Sequence, residues 1–180
     1  MLAQLRAIYH YLWALGGALG YRFPARELTV IGVTGTKGKT TTIELINTIL
    51  ETKREPTAIA STLRFKIGDR SEQNHLKMTM PGHGFLQRFL RRAVTASCRY
   101  AIIEMTSEVW RHFRDRFIDL DILIFTNLAP EHIKYHGSYE KYLEAKLSIG
   151  RTLAHSRKPE PTLIVNGDDR AAIRFIALPI

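Results

Sequence analysis

The stretch Val30-Ile31-Gly32-Val33-Thr34-Gly35-Thr36-Lys37-Gly38-Lys39-Thr40-Thr41-Thr42 constrains this chain more than any other. Leu28 to Thr34 is a short β-branched run that reads as a buried strand. Beyond it Ile43, Ile46 and Leu50 recur at helical spacing. Between them lies a glycine-rich turn ending Gly38-Lys39-Thr40. Such a turn presents successive backbone N–H groups to phosphate, backed by the positive end of the following helix. Gly35, Thr36, Lys37, Gly38, Lys39, Thr40 and Thr41 are therefore the candidate ATP-binding residues. Lys39 would supply a point charge to the outer phosphates, and the Thr40 hydroxyl a ligand for Mg²⁺. The strict pattern of these loops, G-x-x-x-x-G-K-[ST], has glycine where Val33 stands; here the spacing is G-x-x-G-T-x-G-K-T.

With 180 residues and 45% hydrophobic content, the chain suits one domain that buries a core without staples. Its single cysteine, Cys98, offers neither a disulfide framework nor a metal cluster. The formal charge of +9 suits an anionic partner. No basic stripe interleaved with aromatics and no nucleic-acid module accompanies it, so a nucleotide-handling enzyme is expected rather than a nucleic-acid binder. Arg88, Arg91 and Arg92 read as a solvated helix face.

Residues 2–15 read as a helix with Leu2, Leu5, Ile8, Leu12 and Leu15 on one side. The nearly all-apolar segment from Ala7 to Tyr21 is too short to span a bilayer. A helix packed on its own domain is the expected arrangement, and contact with a membrane surface the lesser reading. Because the ATP strand follows directly after Pro24, a cytoplasmic location is expected instead of secretion. Ala58 to Ile67 reads as extended, with a hairpin turn at Gly68-Asp69 and a polar return through Ser71 to Asn74. Phe85, Leu86, Phe89, Leu90, Ala93 and Val94 form the stripe of an amphipathic helix, with Gln87 on its wet face. Tyr100–Ile103 and Asp121–Phe125 are apolar runs suited to central parallel strands. Ser138 caps a helix to about Ala154, and a last strand covers Thr162–Val165. Strands alternating with helices predict an α/β fold: three layers, α/β/α, around a mostly parallel sheet.

Glu104 directly follows an apolar strand, at the sheet edge where ligands of open α/β folds gather, and can hold Mg²⁺ on ATP phosphates. Thr126 to Gly137 crowds His132, His136 and Glu131 into one loop past another buried strand, which suggests a metal or phosphate site. On the helix after Ser138 the apolar stripe Tyr139, Tyr142, Leu143, Ile149 and Leu153 is completed by Lys146. Periodicity alone favours a lysine whose stem packs while its ammonium reaches water. A buried one would have a lowered pKa.

Gly32 to Thr41 resembles the ATP loop of the Mur ligases, the ATP-dependent amide-forming enzymes of peptidoglycan precursor synthesis, and folylpolyglutamate synthetases share a similar loop. Thr126–Gly137 followed by Tyr142-Leu143-Glu144-Ala145-Lys146 looks like the Mur ligase signature T-N-L-x-x-[DE]-H-x-x-x-H-G…A-K. Asn166-Gly167-Asp168-Asp169 matches the family's N-x-D-D segment. Thr79-Met80-Pro81 and Glu104-Met105-Thr106-Ser107 are similar to the T-T-P and E-x-S-S segments of its tripeptide-synthetase branch.

This resemblance implies a ligase that adds an amino acid to a UDP-N-acetylmuramyl peptide through an acyl phosphate. By position it implies Lys39 on the ATP phosphates, Thr40 and Glu104 on one Mg²⁺, and His132 on a second. Lys146 would be carbamylated, and Thr79 and Ser107 would touch the muramyl-peptide substrate. Residues 1–24 would be an apolar helix and linker, and residues 25–180 the central ATP-binding domain, incomplete at its C-terminal end. The chain is therefore expected to be a piece of a longer ligase, inactive by itself. It departs from the family in having Glu131 in place of Asp and Glu108 in place of His, and the domain that grips the uridine nucleotide is expected to be missing from these residues. A folylpolyglutamate-type ligase, a ligase of lipid-linked precursor and a non-catalytic nucleotide-binding module are the alternatives.

Overall fold

The computed structural model describes residues 2–76, 78, 84–107, 116–130 and 137–180. Helix α1 (Leu2–Gly20) leads through a short 3₁₀ turn, Pro24–Glu27, into strand β1 (Thr29–Thr34) and helix α2 (Lys39–Thr52). Strands β2 (Thr57–Ala60), β3 (Arg64–Ile67) and β4 (Arg70–Gln73) follow, then helix α3 (Phe85–Thr95). The remainder is β5 (Tyr100–Glu104), β6 (Ile122–Phe125), α4 (Tyr139–Ala154), β7 (Thr162–Val165) and α5 (Ala172–Ile176).

One seven-stranded sheet runs in the order β4-β3-β2-β5-β1-β6-β7. From β2 to β7 the neighbours are parallel, and the β3–β4 hairpin extends the sheet antiparallel beyond β2. This is the mostly parallel arrangement expected, with the hairpin turning at Gly68-Asp69 as its residues demand. The extended run from Ala58 to Ile67 is broken into β2 and β3 by the turn at residues 61–63.

The two-residue period of the strands sorts the core into two layers. Ile31, Val33, Ile59 and Ile102 pack with Ile43 of α2 on one face of the sheet. Val30, Ala101, Ile103 and Leu123 pack with Leu86, Phe89 and Leu90 of α3 and with Ile149 and Leu153 of α4 on the other. Gly32 lies on that second face, where a Cβ would come within 2.7 Å of Met105 Sδ and 3.2 Å of Leu123.

Two helical readings are corrected. Gln87 is buried, donating Nε2 to the Phe117 carbonyl at 3.1 Å, because α3 is overlaid by the segment around Phe117. Its Oε1 is the buried side-chain atom without a partner among the described residues. Helix α1 extends to Gly20, and the Ile8 and Leu12 of its apolar stripe are exposed rather than packed. Gly17 meets the start of α3: a Cβ there would lie 3.2 Å from Gly84 Cα, and Ala18 beside it is buried.

The short α5 closes the end of the sheet by stacking Phe175 on Phe125, ring centroids 4.1 Å apart, with both side chains buried. Removing that ring leaves a cavity beneath α4. Phe175→Ala should cost about 3 kcal/mol in urea unfolding; a loss below about 1 kcal/mol would show that α5 does not close this core.

Candidate active site

The glycine-rich turn joins β1 to α2 at the C-terminal edge of the sheet. Gly38 caps α2 with φ 79°, a left-handed geometry that glycine adopts without a Cβ penalty. Gly35, with φ 147°, is fixed by a close approach: a Cβ there would collide with Thr126 Oγ1 and lie 3.1 Å from the Asn127 backbone. That explains the departure from the strict loop pattern. Val33 sits fully buried inside β1, and the small residue is required two positions later, where β6 delivers Thr126 and Asn127 beside the turn.

Asn127 holds the turn in shape. Its backbone carbonyl accepts from Thr36 N–H at 2.9 Å, and its side-chain Oδ1 accepts from Lys37 N–H at 2.9 Å. Its Nδ2 donates to the Lys37 carbonyl at 3.0 Å, and Thr126 Oγ1 donates to the same carbonyl at 2.8 Å. The Thr36 hydroxyl accepts from Ala129 N–H at 3.0 Å and shares a 3.0 Å hydrogen bond with Tyr142 OH. The N–H donors of Thr36 and Lys37 are thus committed to Asn127. The first-turn amides of α2 have no carbonyl four residues back within the helix, the arrangement by which a helix N-terminus binds an anion.

The Asn166–Asp169 segment braces the bracing loop. Asp169 Oδ2 accepts from Leu128 N–H at 2.7 Å, and Asn166 Nδ2 donates to the Thr126 carbonyl at 2.9 Å.

Charged groups reach the turn from both faces of the sheet. On the α2 face Glu104, only 2% exposed, accepts through Oε2 from Thr62 N–H and Thr62 Oγ1, each at 2.7 Å. Thr40 Oγ1 donates to the same oxygen at 3.4 Å, and Lys39 Nζ stands 3.9 Å from Oε1. Lys39 also donates to the carbonyls of Gly35 and Thr36, both at 3.0 Å. From the α4 face Lys146 donates to the Gly35 carbonyl at 2.8 Å and to Thr34 Oγ1 at 3.3 Å. It is 2% exposed, so the ammonium does not reach water as periodicity alone favoured. Burial, and then the nearby Lys39 charge, lower its pKa from 10.5 to about 7, with Glu104 pulling the other way.

Thr40 and Glu104 offer hard oxygen donors at the mouth of the turn, a set that suits Mg²⁺ held jointly with phosphate oxygens and water. No group of three or more His, Cys, Asp and Glu that could hold a metal occurs among the described residues. Ser107 is buried, three residues beyond Glu104 along the same edge. Thr79, Glu108, Glu131, His132 and His136 lie outside the described residues. Two participants escaped the sequence reading. Thr62 belongs to no motif and meets Glu104 only through the β2–β3 turn, whereas Asn127 stood in a conspicuous segment but its partner, the backbone of Lys37, is ninety positions away.

A family model for the Mur ligase middle domain matches residues 33–178, a span that holds this turn, its bracing loop, Glu104 and Lys146. The chain belongs to the Mur ligase family. It is 36% identical over 157 residues to the UDP-N-acetylmuramyl-tripeptide synthetase of Roseiflexus sp. (strain RS-1), covering 83% of this chain and 31% of that relative. It is 33% identical over 159 residues to the UDP-N-acetylmuramoyl-L-alanyl-D-glutamate--2,6-diaminopimelate ligase of Chlamydia caviae, covering 88% of this chain and 32% of that one. The Mur ligase chain thus spans about a third of the length of the curated relatives it matches.

A solved UDP-N-acetylmuramoyl-L-alanyl-D-glutamate--2,6-diaminopimelate ligase superposes with a TM-score of 0.70 at 28% identity, over 83% of this chain and 28% of that one. The folylpolyglutamate synthase of Mycobacterium tuberculosis complexed with ADP shares the fold, with a TM-score of 0.68 at 12% identity over 92% of this chain and 43% of that one. The expected mostly parallel α/β fold of a Mur ligase central domain is what this chain adopts.

The buried Lys146 makes a pH-dependent prediction. The unfolded chain keeps this proton up to about pH 10.5, whereas the folded chain releases it above about 7. Between these values the unfolded state binds more protons, so stability rises with pH; below about 7 the full cost of burying the charge remains. In CO₂-free buffer Lys146→Met should be more stable than the parent at pH 6. That advantage should shrink between pH 7 and 10.5 by up to about 1.4 kcal/mol per unit. Denaturant titrations at several pH values check this, and a gap that does not change with pH contradicts it.

Proposed function

We propose that this chain, through a domain spanning residues 25–180, is the ATP-handling part of a cytoplasmic ligase that joins an amino acid to a UDP-N-acetylmuramyl peptide. The observation that carries the reading is the convergence of Lys39, the Thr40–Glu104 pair and Lys146 on one braced phosphate-type turn. Its support from relatives is that curated proteins 33–36% identical to this chain are named for muramyl-peptide ligation.

In the proposed reaction a carboxylate oxygen of the muramyl peptide attacks the γ-phosphorus of ATP. The bond to the bridging oxygen breaks and ADP leaves, giving an acyl phosphate. The amine of the incoming amino acid then attacks the acyl carbon, its proton is released, and inorganic phosphate departs with the C–O electron pair. Lys39 and the N-terminus of α2 offset charge on the transferring phosphoryl group, a largely electrostatic task. When bound, Mg²⁺ supplies further neutralisation of phosphate charge. Thr40 and Glu104 are its proposed ligands, with His132 serving a second ion. Gly35 through Thr41 line the phosphates, and Thr79 and Ser107 contact the muramyl peptide.

Lys146 is the proposed site of carbamylation. Its neutral amine attacks the carbon of CO₂, an N–C bond forms and a proton leaves. The product is an anion in place of a cation that is repelled by Lys39.

Two measurements test this reading. Calorimetry with Mg·ATP should show Lys39→Ala binding roughly tenfold to hundredfold more weakly than the parent; equal affinity contradicts the role of Lys39. In ¹³C-bicarbonate the parent should show a carbamate carbon resonance that Lys146→Met lacks. A parent without that resonance, or a variant that retains it, contradicts the modification.

A further inference from the structure

The two carboxylate oxygens of the buried Glu104 meet different surroundings. Oε2 accepts from Thr62 N–H and from Thr62 Oγ1, each at 2.7 Å, and from Thr40 Oγ1 at 3.4 Å. Oε1 accepts no hydrogen bond from the described residues; its neighbour is the Lys39 ammonium, 3.9 Å away. Both short bonds to Oε2 come from one residue that lies outside the phosphate turn. Hydrogen bonds of this length to a carboxylate are the strong, charge-assisted kind.

The turn that carries Thr62 is built to hold it there. Ser61 N–H and Ser61 Oγ both donate to the Arg64 carbonyl at 3.1 Å, and Arg64 N–H donates back to Ser61 Oγ at 3.1 Å. Buried Asn74 fastens the turn from behind, its N–H donating to the Leu63 carbonyl at 3.0 Å and its Nδ2 to the Ser61 carbonyl at 2.8 Å. Arg64 then grips Glu44 of α2 with two bonds, Nε to Oε1 at 2.9 Å and Nη2 to Oε2 at 2.6 Å. Such a fork fixes orientation as well as distance. Glu44 stands one helical turn beyond Thr40, so the fork also sets Thr62 against Thr40 across Glu104.

We propose that Thr62 makes Glu104 a one-oxygen ligand and thereby selects Mg²⁺ over Ca²⁺ at the nucleotide site. The inference rests on the reading of Thr40 and Glu104 as cation ligands given above. A hydroxyl that offers a lone pair to a cation still has its proton to donate, so Thr40 can serve the cation and keep its bond to Oε2. With Oε2 committed to these donors, Oε1 is the oxygen left for a cation. A compact, near-octahedral Mg²⁺ shell, filled largely by phosphate oxygens and water, is satisfied by that single oxygen. Ca²⁺ takes about six to eight oxygens and gains from a carboxylate that offers both. Thr62 is therefore a positioning residue that acts through Glu104. Loss of its hydroxyl frees Oε2 to turn toward the cation, which favours the larger ion.

Calorimetry on the whole 180-residue chain with preformed Mg·ATP and Ca·ATP tests this. The parent should bind Mg·ATP more tightly than Ca·ATP. Thr62→Val, which loses one of the two short bonds, should lower the ratio of the two affinities by about threefold to tenfold. Thr62→Ser keeps both donors and should keep the parent's ratio. Thr62 is exposed, so thermal unfolding of both variants should stay near that of the parent. A change that only displaced Glu104 would weaken both complexes alike; an unchanged ratio in Thr62→Val therefore overturns the proposal. Equal binding of the two complexes by the parent overturns it as well, as does a Thr62→Ser variant that loses the ratio. Glu104→Gln separates this inference from the reading beneath it. If Glu104→Gln binds both complexes as the parent does, Glu104 is no cation ligand and both fall. If Glu104→Gln loses the discrimination while Thr62→Val retains it, the role of Thr62 alone falls.

Discussion

The carboxamide of Asn127 grips Lys37 from both sides, accepting from its N–H at 2.9 Å and donating to its carbonyl at 3.0 Å. A glycine-rich turn has too many accessible conformations to hold a phosphate-binding shape by itself. Here an amide satisfies one backbone donor and one acceptor of the same residue, so only one local conformation answers both. The pairing exists because β1 and β6 are parallel neighbours in register, Thr34 opposite Phe125, and release their loops side by side. The same proximity excludes any side chain at Gly35. Asp169 and Asn166 carry the constraint one loop further, to the end of β7, so three successive strand ends share one hydrogen-bonded edge.

Strand alternation then decides how charge approaches that edge. Glu104 shares the α2 side with Ile102, and Thr34, next to Lys146, shares the α4 side with Val30 and Gly32. The Gly35 carbonyl lies between and accepts from both Lys39 and Lys146, at 3.0 and 2.8 Å. Two ammonium groups on one oxygen oppose each other, and the fully buried one yields its proton more readily. The exchange of that cation for a neutral amine, or for the carbamate proposed above, would leave Lys39 as the one ammonium on that carbonyl. Burial that costs stability at Lys146 thereby favours the neutral amine that the proposed carbamylation needs.

Much of this was legible in the residues because it is local. The β-branched run before Gly35, the amphipathic stripe of α3, the Gly68-Asp69 turn and the Ser138 cap, whose hydroxyl accepts from Lys141 N–H at 3.2 Å, each follow from short-range pattern. Lys146 announced itself as an ammonium on an inward stripe, although periodicity could not say whether its stem would carry the charge to water; the depth of the α4–β1 contact decides that. What could not be read depends on tertiary neighbours. Gln87 looks solvated by its period, yet the segment at Phe117 covers it. Thr62 becomes a partner of Glu104 only when the β2–β3 turn folds across β5. The apolar stripe of α1 predicts packing, but Ile8 and Leu12 of that stripe are exposed while Gly17 and Ala18, which the stripe does not include, meet the start of α3 and are partly or wholly buried.

The claim that Asn127 imposes the shape of the turn is tested most directly by residue-resolved amide hydrogen exchange at Thr36 and Lys37. Lys37 is exposed, and its N–H donates to Asn127 Oδ1. The account predicts slow exchange at both amides in the parent. In Asn127→Ala, Lys37 should lose its protection while the amides of β1 keep theirs. Rapid exchange of Lys37 in the parent, or unchanged protection in Asn127→Ala, would contradict it.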